Sequence, residues 1–318
     1  MHRRVIFIVF AIASLGAVTA RCTDDRAALI EAMKQTERDF CALVVKEGGY
    51  VGFTTFMAEP SVFSGDVFPD RATARAKLPN RPRRPGVATY WEPVFGDIAR
   101  SGDFGYIWGS SWVTGLTTPE GQPRNAEGFT FTVWRQQADG TWKFVLDAGG
   151  PSTPDAVAAV VAAAKSAPMD DALLAPDARG AAAGARELLA LDESLGRTSE
   201  FSEAFIAAAA SDAFSLDLAA YGQPQVATVL RAQPRTGASR EPLHAEVASS
   251  GDLGYSFGLW HGRTAPNSAP AEGAYFTMWK RQRDGSWRWV IDNTFVATDG
   301  LLAAKLARFR TAAAALRR

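Results

Sequence analysis

Four side chains that can exchange protons stand out by where they fall in the predicted strands. Asp147 and Asp292 each end a strand, where a carboxylate at a cavity mouth could act as a general base or could simply accept backbone N–H bonds. His244 and His261 are of interest because histidine titrates near neutral pH. The candidate catalytic residues are therefore His261, Asp292, His244 and Asp147, for proton abstraction or water elimination.

The two histidines occur in only one half of the mature chain. They replace Phe95 and Trp112 of the other half, which offers no histidine, so any single active site is expected in the second half. Along the strands they would lie about four residues apart, roughly 13 Å at ~3.3 Å per residue. That separation is too long for a shared metal ion or a direct relay, and surface or interface histidines are the alternative.

Aromatic side chains in the same strands are the candidate contacts of a ligand. Two of them are tyrosines that follow "SGD" turns, where a hydroxyl could face a cavity or could be satisfied within a core. The candidate ligand-binding residues are Tyr255, Phe257, Trp260, Tyr106, Trp108 and Trp112.

The segments that must position these side chains occur twice in the sequence. "EGFTFTVWRQQADGTWKFVLD" (127–147) returns 145 residues later as "EGAYFTMWKRQRDGSWRWVID" (272–292). Upstream, "EPVFGDIARSGDFGYIWG" (92–109) returns as "EPLHAEVASSGDLGYSFG" (241–258), 149 residues later. A period near 150 indicates a duplicated domain. We expect a first domain over 21–167, a linker over 168–179 and a second domain over 180–318.

Each half repeats one order of elements, which predicts an α+β fold. A helix comes first (24–46 and 180–196), a short second helix follows (near 53–58 and 200–210), and three or more strands come after. Asp-Gly pairs suit the positive φ of tight hairpin turns. An Ala-rich helix is predicted over 154–165 and another over 299–316.

Both faces of the repeated hairpin carry bulky side chains. Phe129, Phe131 and Val133 alternate with Thr130, Thr132 and Trp134, and in the next strand Trp142, Phe144 and Leu146 are expected to share one face. A sheet with one face in water should alternate apolar with polar residues. We therefore predict two tandem cone-shaped domains, each with helices on a curved antiparallel sheet, that pack sheet against sheet as a pseudo-dimer within the chain.

Composition and motifs exclude several classes of function. The chain has 34 basic and 34 acidic residues among 318, so no basic field for nucleic acid exists. Two cysteines and three histidines argue against a cysteine–histidine metal site. No phosphate-binding loop, nucleophile elbow or zinc-protease motif occurs. No cofactor is expected.

The first twenty residues, "MHRRVIFIVFAIASLGAVTA", have the pattern of a secretory signal peptide. A basic start precedes an apolar run (5–15), and Val18 and Ala20 occupy the positions that a signal peptidase reads. The run is shorter than the ~20 residues of a membrane span, although a retained anchor is the alternative. We expect cleavage after Ala20, a periplasmic or secreted protein, and no membrane association after removal of the signal.

The two halves resemble the nuclear-transport-factor-2-like superfamily, in its SnoaL-like and ketosteroid-isomerase-like bacterial branch. The motifs "SGDxGYxxG" and "FTxWRxQxDGxWKxVxD" carry the resemblance, and it covers nearly all of the mature chain. It implies a cone whose apolar cavity lies between the sheet and the helices. Since neither first helix contains a tyrosine, the donor tyrosine of ketosteroid isomerase has no matched position.

Two functions remain open at this stage. The first is an exported module that binds a small apolar molecule in a domain cavity without catalysis. The second is a cofactor-independent lyase or isomerase, of dehydratase or proton-transfer type, acting on a small hydrophobic or aromatic substrate. The expected partners are such a small molecule and the other repeat of the same chain.

Overall fold

The computed structural model describes residues 14–63, 66–78, 86–166, 180–263, 267–296, 310–311 and 313–314. The predicted linker 168–179 and most of the predicted C-terminal helix lie outside the described residues. Among the helices that are described, none is both long and apolar enough to cross a membrane. The first helix extends across the predicted cleavage position, because it already begins at Ser14.

The first domain combines a six-stranded sheet with four helices among the described residues, and the last of these helices packs on the sheet face that meets the second domain. Its helices are α1 (Ser14–Glu47), α2 (Gly49–Phe56), α3 (Arg71–Lys77) and α4 (Pro154–Ser166). Its strands are β1 (Met57–Phe63), β2 (Asp66–Phe68), β3 (Ala88–Ile98), β4 (Phe104–Thr117), β5 (Pro123–Gln136) and β6 (Trp142–Ser152). The strand order is β2-β1-β6-β5-β4-β3, and only the β1–β6 pair is parallel.

The second domain repeats this arrangement. Its helices are α5 (Gly180–Gly196), α6 (Phe201–Ala207) and α7 (Gln223–Ala232). Its strands are β7 (Ala209–Ser215), β8 (Ala220–Tyr221), β9 (Ser239–Val247), β10 (Leu253–Gly262), β11 (Ala271–Arg281) and β12 (Trp287–Val296). The order β8-β7-β12-β11-β10-β9 matches that of the first sheet strand for strand. The predicted α+β fold with two tandem domains is therefore confirmed.

The turns form where the sequence predicts them. Gly140 and Gly285, the glycines of the two Asp-Gly pairs, have φ angles of 81° and 82°. Only glycine adopts this region without a steric penalty from Cβ. Each Asp-Gly pair therefore closes the β5–β6 or β11–β12 hairpin as expected.

The two sheets pack face to face, as the bulky residues on both faces of the hairpin predict. Phe131 and Phe276, which occupy equivalent positions, stack with ring centroids 4.7 Å apart and planes 6° apart. Trp108 packs on Phe214 of β7, with centroids 4.6 Å apart. One continuous apolar cluster therefore joins the domains, and each domain keeps a separate core beneath its helices.

Two equivalent ion pairs flank this sheet interface. Lys280 Nζ lies 2.8 Å from Asp97 Oδ2, and Arg135 Nη1 lies 2.6 Å from Glu246 Oε1. Residues 135 and 280 are 145 apart, and residues 97 and 246 are 149 apart, so the pairs are related by the internal repeat. This reciprocity is what a two-fold interface produces. The predicted pseudo-dimer is thereby confirmed.

One predicted alternation is wrong because of a β-bulge. Val133 pairs with Leu146 and the next residue, Trp134, pairs with Phe144. Val145 is therefore an extra residue of β6 that has no partner in β5, which is a β-bulge. Phe144 joins the core under the helices, whereas Leu146 joins the cluster between the sheets. The same bulge occurs in the second sheet, where Met278 and Trp279 pair with Ile291 and Trp289.

The second short helix of each half ends earlier than predicted. Residues 208–210 are alanines, which favour a helix, yet α6 stops at Ala207 and Ala209 pairs with Trp289 of β12. In the first half Met57 likewise begins a strand, paired with Phe144. Tertiary strand pairing overrides local helix propensity at both places.

Candidate functional site

The first domain contains a cavity of about 490 Å³ between its sheet and its helices. Aromatic rings of Phe53 of α2 and Trp91 of β3 contribute to the wall. Asp147 and Glu127 are the ionisable residues among the described lining residues, and the strand register places Glu127 with Trp112 on the sheet face opposite Asp147. Small residues at the end of β6, over 148–151, leave this space open.

Asp147 presents a buried carboxyl group to the cavity. It is 7% exposed, and its Oδ2 accepts a hydrogen bond from the Thr132 hydroxyl at 3.2 Å. Burial raises the pKa of Asp147 well above its ordinary range, and the nearby Glu37 carboxyl raises it further. The β6 bulge places Asp147 on the helix-facing side, together with Phe144, because it shifts the alternation by one residue.

Glu37 of α1 lies behind Asp147, with no exposed surface. Its Oε1 accepts a hydrogen bond from Trp91 Nε1 at 2.6 Å, and its Oε2 accepts one from Trp134 Nε1 at 2.8 Å. Burial raises the pKa of Glu37 to about 7, although these hydrogen bonds oppose the shift. Glu37 therefore titrates close to neutral pH inside the domain.

The Thr132 hydroxyl connects the two carboxyl groups. Its oxygen lies 3.3 Å from Glu37 Oε1 and 3.2 Å from Asp147 Oδ2. A hydroxyl has one hydrogen to donate, so the second contact is favourable only if that carboxyl is protonated and donates to Thr132. The arrangement can therefore hold a proton within the Glu37–Thr132–Asp147 group, which is the chemistry that general acid–base catalysis needs.

The second domain places an arginine in the equivalent group. Arg240 and Trp91 occupy matching strand positions, since they pair with Trp260 and Ser111, two residues 149 apart. Arg240 is fully buried, and its Nη2 lies 2.7 Å from Asp292 Oδ1. A second carboxylate, Asp192 of α5, lies 3.8 Å from Arg240 Nη1. One internal cation thus lies against both carboxyl groups of the second domain.

Larger side chains also fill the interior of the second domain. Tyr275 replaces Thr130, and its hydroxyl donates a hydrogen bond to Asp192 at 2.8 Å. Trp260 replaces Ser111 and has no exposed surface. Volume that is cavity in the first domain is occupied by protein in the second.

The predicted catalytic residues do not converge on one site. Asp147 lines the first cavity, whereas Asp292 is ion-paired inside the second domain. His261 lies on the opposite face of the second sheet from Asp292, where its Nδ1 is 3.3 Å from Glu272 Oε1. It lines an open surface pocket of about 470 Å³. His244 faces the sheet interface, with its ring 5.3 Å from Phe257.

The predicted ligand-binding residues also fall in three places. Trp112 is among the residues at the first cavity, but its ring stacks on Tyr90 on the sheet face opposite Asp147, and Trp260 lies inside the second domain. The remaining four lie in the cluster between the sheets: Tyr106, Trp108, Tyr255 and Phe257. There Tyr255 donates a hydrogen bond from its hydroxyl to Glu246 Oε2 at 3.1 Å.

Glu37, Thr132 and Trp91 are functional candidates that the sequence did not single out. A signal for Glu37 exists in the helical spacing of α1, because Met33, Phe40 and Glu37 lie on one buried face. A carboxylate on an apolar helix face is unusual unless it has partners. The second domain repeats the signal with Asp192 on the buried face of α5.

No protein-family model matches the chain, and no curated protein does so. Solved structures that match a single domain include a ketosteroid isomerase-like protein from Erwinia carotovora atroseptica, with 15% identity, 39% of this chain and 96% of that chain covered, and a TM-score of 0.28. An NTF2-like protein with a cystatin-like fold from Novosphingobium aromaticivorans matches at 18% identity, with 38% and 87% covered and a TM-score of 0.28.

A longer match covers both domains. An NTF2-like protein involved in plasmid conjugation matches 86% of this chain and 98% of its own, at 6% identity and a TM-score of 0.24. These likenesses are low in identity and in TM-score, so the family resemblance rests on the chain's own architecture. By its element order and sheet topology, the chain consists of two tandem α+β domains with one shared topology, and it resembles the nuclear-transport-factor-2-like and ketosteroid-isomerase-like proteins among these matches.

Proposed function

We propose that this protein binds a small, largely apolar molecule in the cavity of its first domain. The observation that carries the proposal is a cavity of about 490 Å³ with aromatic rings in its wall and one buried carboxyl, Asp147, among its described lining residues. Ligand pockets of proteins are typically about 300–1,000 Å³, mostly apolar, with few polar groups. The volume and lining of this cavity agree with that description.

Comparison of the two domains supports the first one as the binding domain. The same fold can place larger side chains in this interior, as Tyr275 and Trp260 show in the second domain, where both are buried. Close packing is the normal state of a protein interior. The first domain has the smaller residues Thr130 and Ser111 at the positions of Tyr275 and Trp260. It therefore retains space that larger side chains occupy in the second domain.

The proposal is tested by filling the cavity with the residues of the second domain. A thermal-shift screen of residues 21–318 would use aromatic, terpenoid and steroid-like compounds, since a bound ligand raises the melting temperature by mass action. Ser111→Trp and Thr130→Tyr should abolish the shift. Ala162→Tyr, which adds bulk at an exposed position of α4, is the matched control and should preserve it. Shifts that survive both filling variants would place the ligand elsewhere.

A cofactor-independent lyase or isomerase is the second candidate, and the Glu37–Thr132–Asp147 group favours it. A general base is most efficient when its pKa lies near the working pH, and the pKa of Glu37 is raised to about 7. Asp147 is the group of the pair that touches the cavity. A ligand found in the screen should then exchange an acidic C–H with solvent deuterium, and Asp147→Asn should stop that exchange. A ligand that binds without exchange of its C–H would contradict the enzyme function and favour binding without catalysis.

We also propose that the protein is exported, on the basis of the signal-like pattern in its first twenty residues. The protein expressed from its full sequence in a bacterial host should appear in the periplasm or the medium. N-terminal sequencing should find Arg21 as the first residue. A cytoplasmic protein with an uncleaved N-terminus would refute export.

A further inference from the structure

We propose that the ligand of the first-domain cavity is a hydrophobic organic amine whose ammonium group binds Asp147. This inference rests on the proposed function, because it names the chemical class of the molecule in the same cavity. It is carried by the charge of the cavity lining and by the way the second domain satisfies the equivalent carboxylate.

The ionisable residues among the described residues of the cavity lining are acidic, and no lysine, arginine or histidine occurs among those described residues. Asp147 shares the cavity face of the sheet with Thr132, whereas Glu127 lies on the opposite face. Glu37 adds a second carboxyl behind Asp147, with Thr132 between them. When Asp147 is ionised, the site repels an anionic ligand and attracts a cationic one, and a cation that binds there stabilises the ionised form of Asp147 because a buried site screens charge poorly.

The second domain shows which group stabilises the equivalent carboxylate. Asp292, the counterpart of Asp147, binds the guanidinium of Arg240 at 2.7 Å and also accepts a hydrogen bond from Thr277 at 2.7 Å. Thr277 is the counterpart of Thr132. The guanidinium carbon lies 4.2 Å from the ring centre of Tyr275 and 4.7 Å from that of Phe205. A planar cation between a carboxylate and aromatic rings thus occupies this place in the fold.

In the first domain, aromatic rings lie beside the Asp147 carboxyl, and no basic side chain occurs among the described residues of the cavity lining. Trp91 stands at the position of Arg240, donates its indole N–H to Glu37 and exposes its ring to the cavity. Phe53 of α2 supplies a further ring. Aromatic faces attract cations, so the walls suit the apolar body and the ammonium of one molecule. A bound amine would take the role that Arg240 has in the second domain.

The test compares three indole compounds that differ in one group: tryptamine, tryptophol and indole-3-acetate. Isothermal titration calorimetry at pH 7.5 would use the wild-type protein, Asp147→Asn, and Glu200→Gln as control. Glu200 is an exposed glutamate of the second domain whose side chain makes no capping hydrogen bond. The expected order of affinity is tryptamine, then tryptophol, then indole-3-acetate, with the amine favoured over the alcohol by about tenfold or more.

In Asp147→Asn the preference for the amine over the alcohol should fall to about one, whereas Glu200→Gln should keep the wild-type ratio. If Asp147→Asn fails to fold, the order of affinities in the wild type still decides the inference. Equal or tighter binding of tryptophol would overturn the amine proposal and leave the cavity as a site for neutral molecules. A ratio that persists in Asp147→Asn would overturn the role of Asp147. Failure of all three compounds to bind would refute the cavity as a site for this class and the inference with it.

Discussion

Trp91 and Arg240 occupy the same position in two copies of one fold, and each donates a hydrogen bond to a buried carboxylate. Trp91 Nε1 lies 2.6 Å from Glu37 Oε1, and Arg240 Nη2 lies 2.7 Å from Asp292 Oδ1. One donor is neutral and the other is charged. The carboxyl pair is therefore protonated with ease in the first domain and ion-paired in the second.

Replacement of Arg240 by methionine should destabilise the protein strongly. It would leave Asp192 and Asp292 buried without their cation, which typically costs about 3–5 kcal/mol. Urea unfolding at neutral pH measures the loss. Arg197→Met, which removes a 75% exposed arginine from a surface pair, is the control and should change stability little. Equal effects of the two substitutions would contradict the buried ion pair.

Glu37 should make the folded state less stable as the pH rises. Its pKa is about 7 in the folded protein against an ordinary 4.5, so the folded state binds more protons between these values. The free energy of unfolding should fall across pH 4.5–7, by on the order of 3 kcal/mol from this group. Glu37→Gln removes the titrating group and should flatten the curve. Parallel curves for wild type and variant would show that Glu37 titrates normally.

The two ion pairs at the sheet interface should differ in strength, although they are related by the repeat. The side chains of Lys280 and Asp97 are 7% and 5% exposed, whereas those of Arg135 and Glu246 are 30% and 23% exposed. Lys280→Met should cost about 2–4 kcal/mol, and Arg135→Met about 1 kcal/mol or less. Denaturant unfolding of both variants checks this order, and each serves as the control for the other. A larger cost for Arg135→Met would refute it.

Thr132→Val should destabilise the first domain while it keeps the shape of the side chain. The hydroxyl lies between Glu37 and Asp147, and a buried polar group that loses its partner costs about 1–3 kcal/mol. Thr277→Val is the matched variant in the second domain, where Asp292 keeps Arg240 as a partner. The loss of stability should be smaller for Thr277→Val than for Thr132→Val. Urea unfolding of both variants measures the two losses, and a larger loss for Thr277→Val would contradict the prediction.

Local chemistry makes much of the architecture predictable. The Asp-Gly turns, the helix over 180–196 and the bulky residues on both faces of "FTFTVWR" each have a physical consequence that a single segment reveals. Repetition of these segments predicts that the two sheets share a topology. The contact of Phe131 with its own counterpart Phe276 follows from that symmetry.

The candidate site is harder to predict, because it depends on two features that alternation does not reveal. The β6 bulge decides that Asp147 faces the helices, and it arises from strand pairing rather than from residue type. The difference in side-chain volume between the two interiors depends on Ser111 against Trp260 and on Thr130 against Tyr275, which lie on separate strands. Because His244 and His261 both lie in the second half, the sequence predicts the active site there, and the catalytic role of these histidines stays a prediction.

The sheet interface lies within one polypeptide, so the two domains can evolve independently in sequence. In a dimer of identical chains, one codon serves both subunits, so a substitution that closes one pocket closes the other. Here Trp91 and Arg240 have separate codons, and a mutation at one leaves its counterpart untouched. Selection can therefore act on the second copy for rigidity and on the first for chemistry, while both stay joined through Phe131 and Phe276.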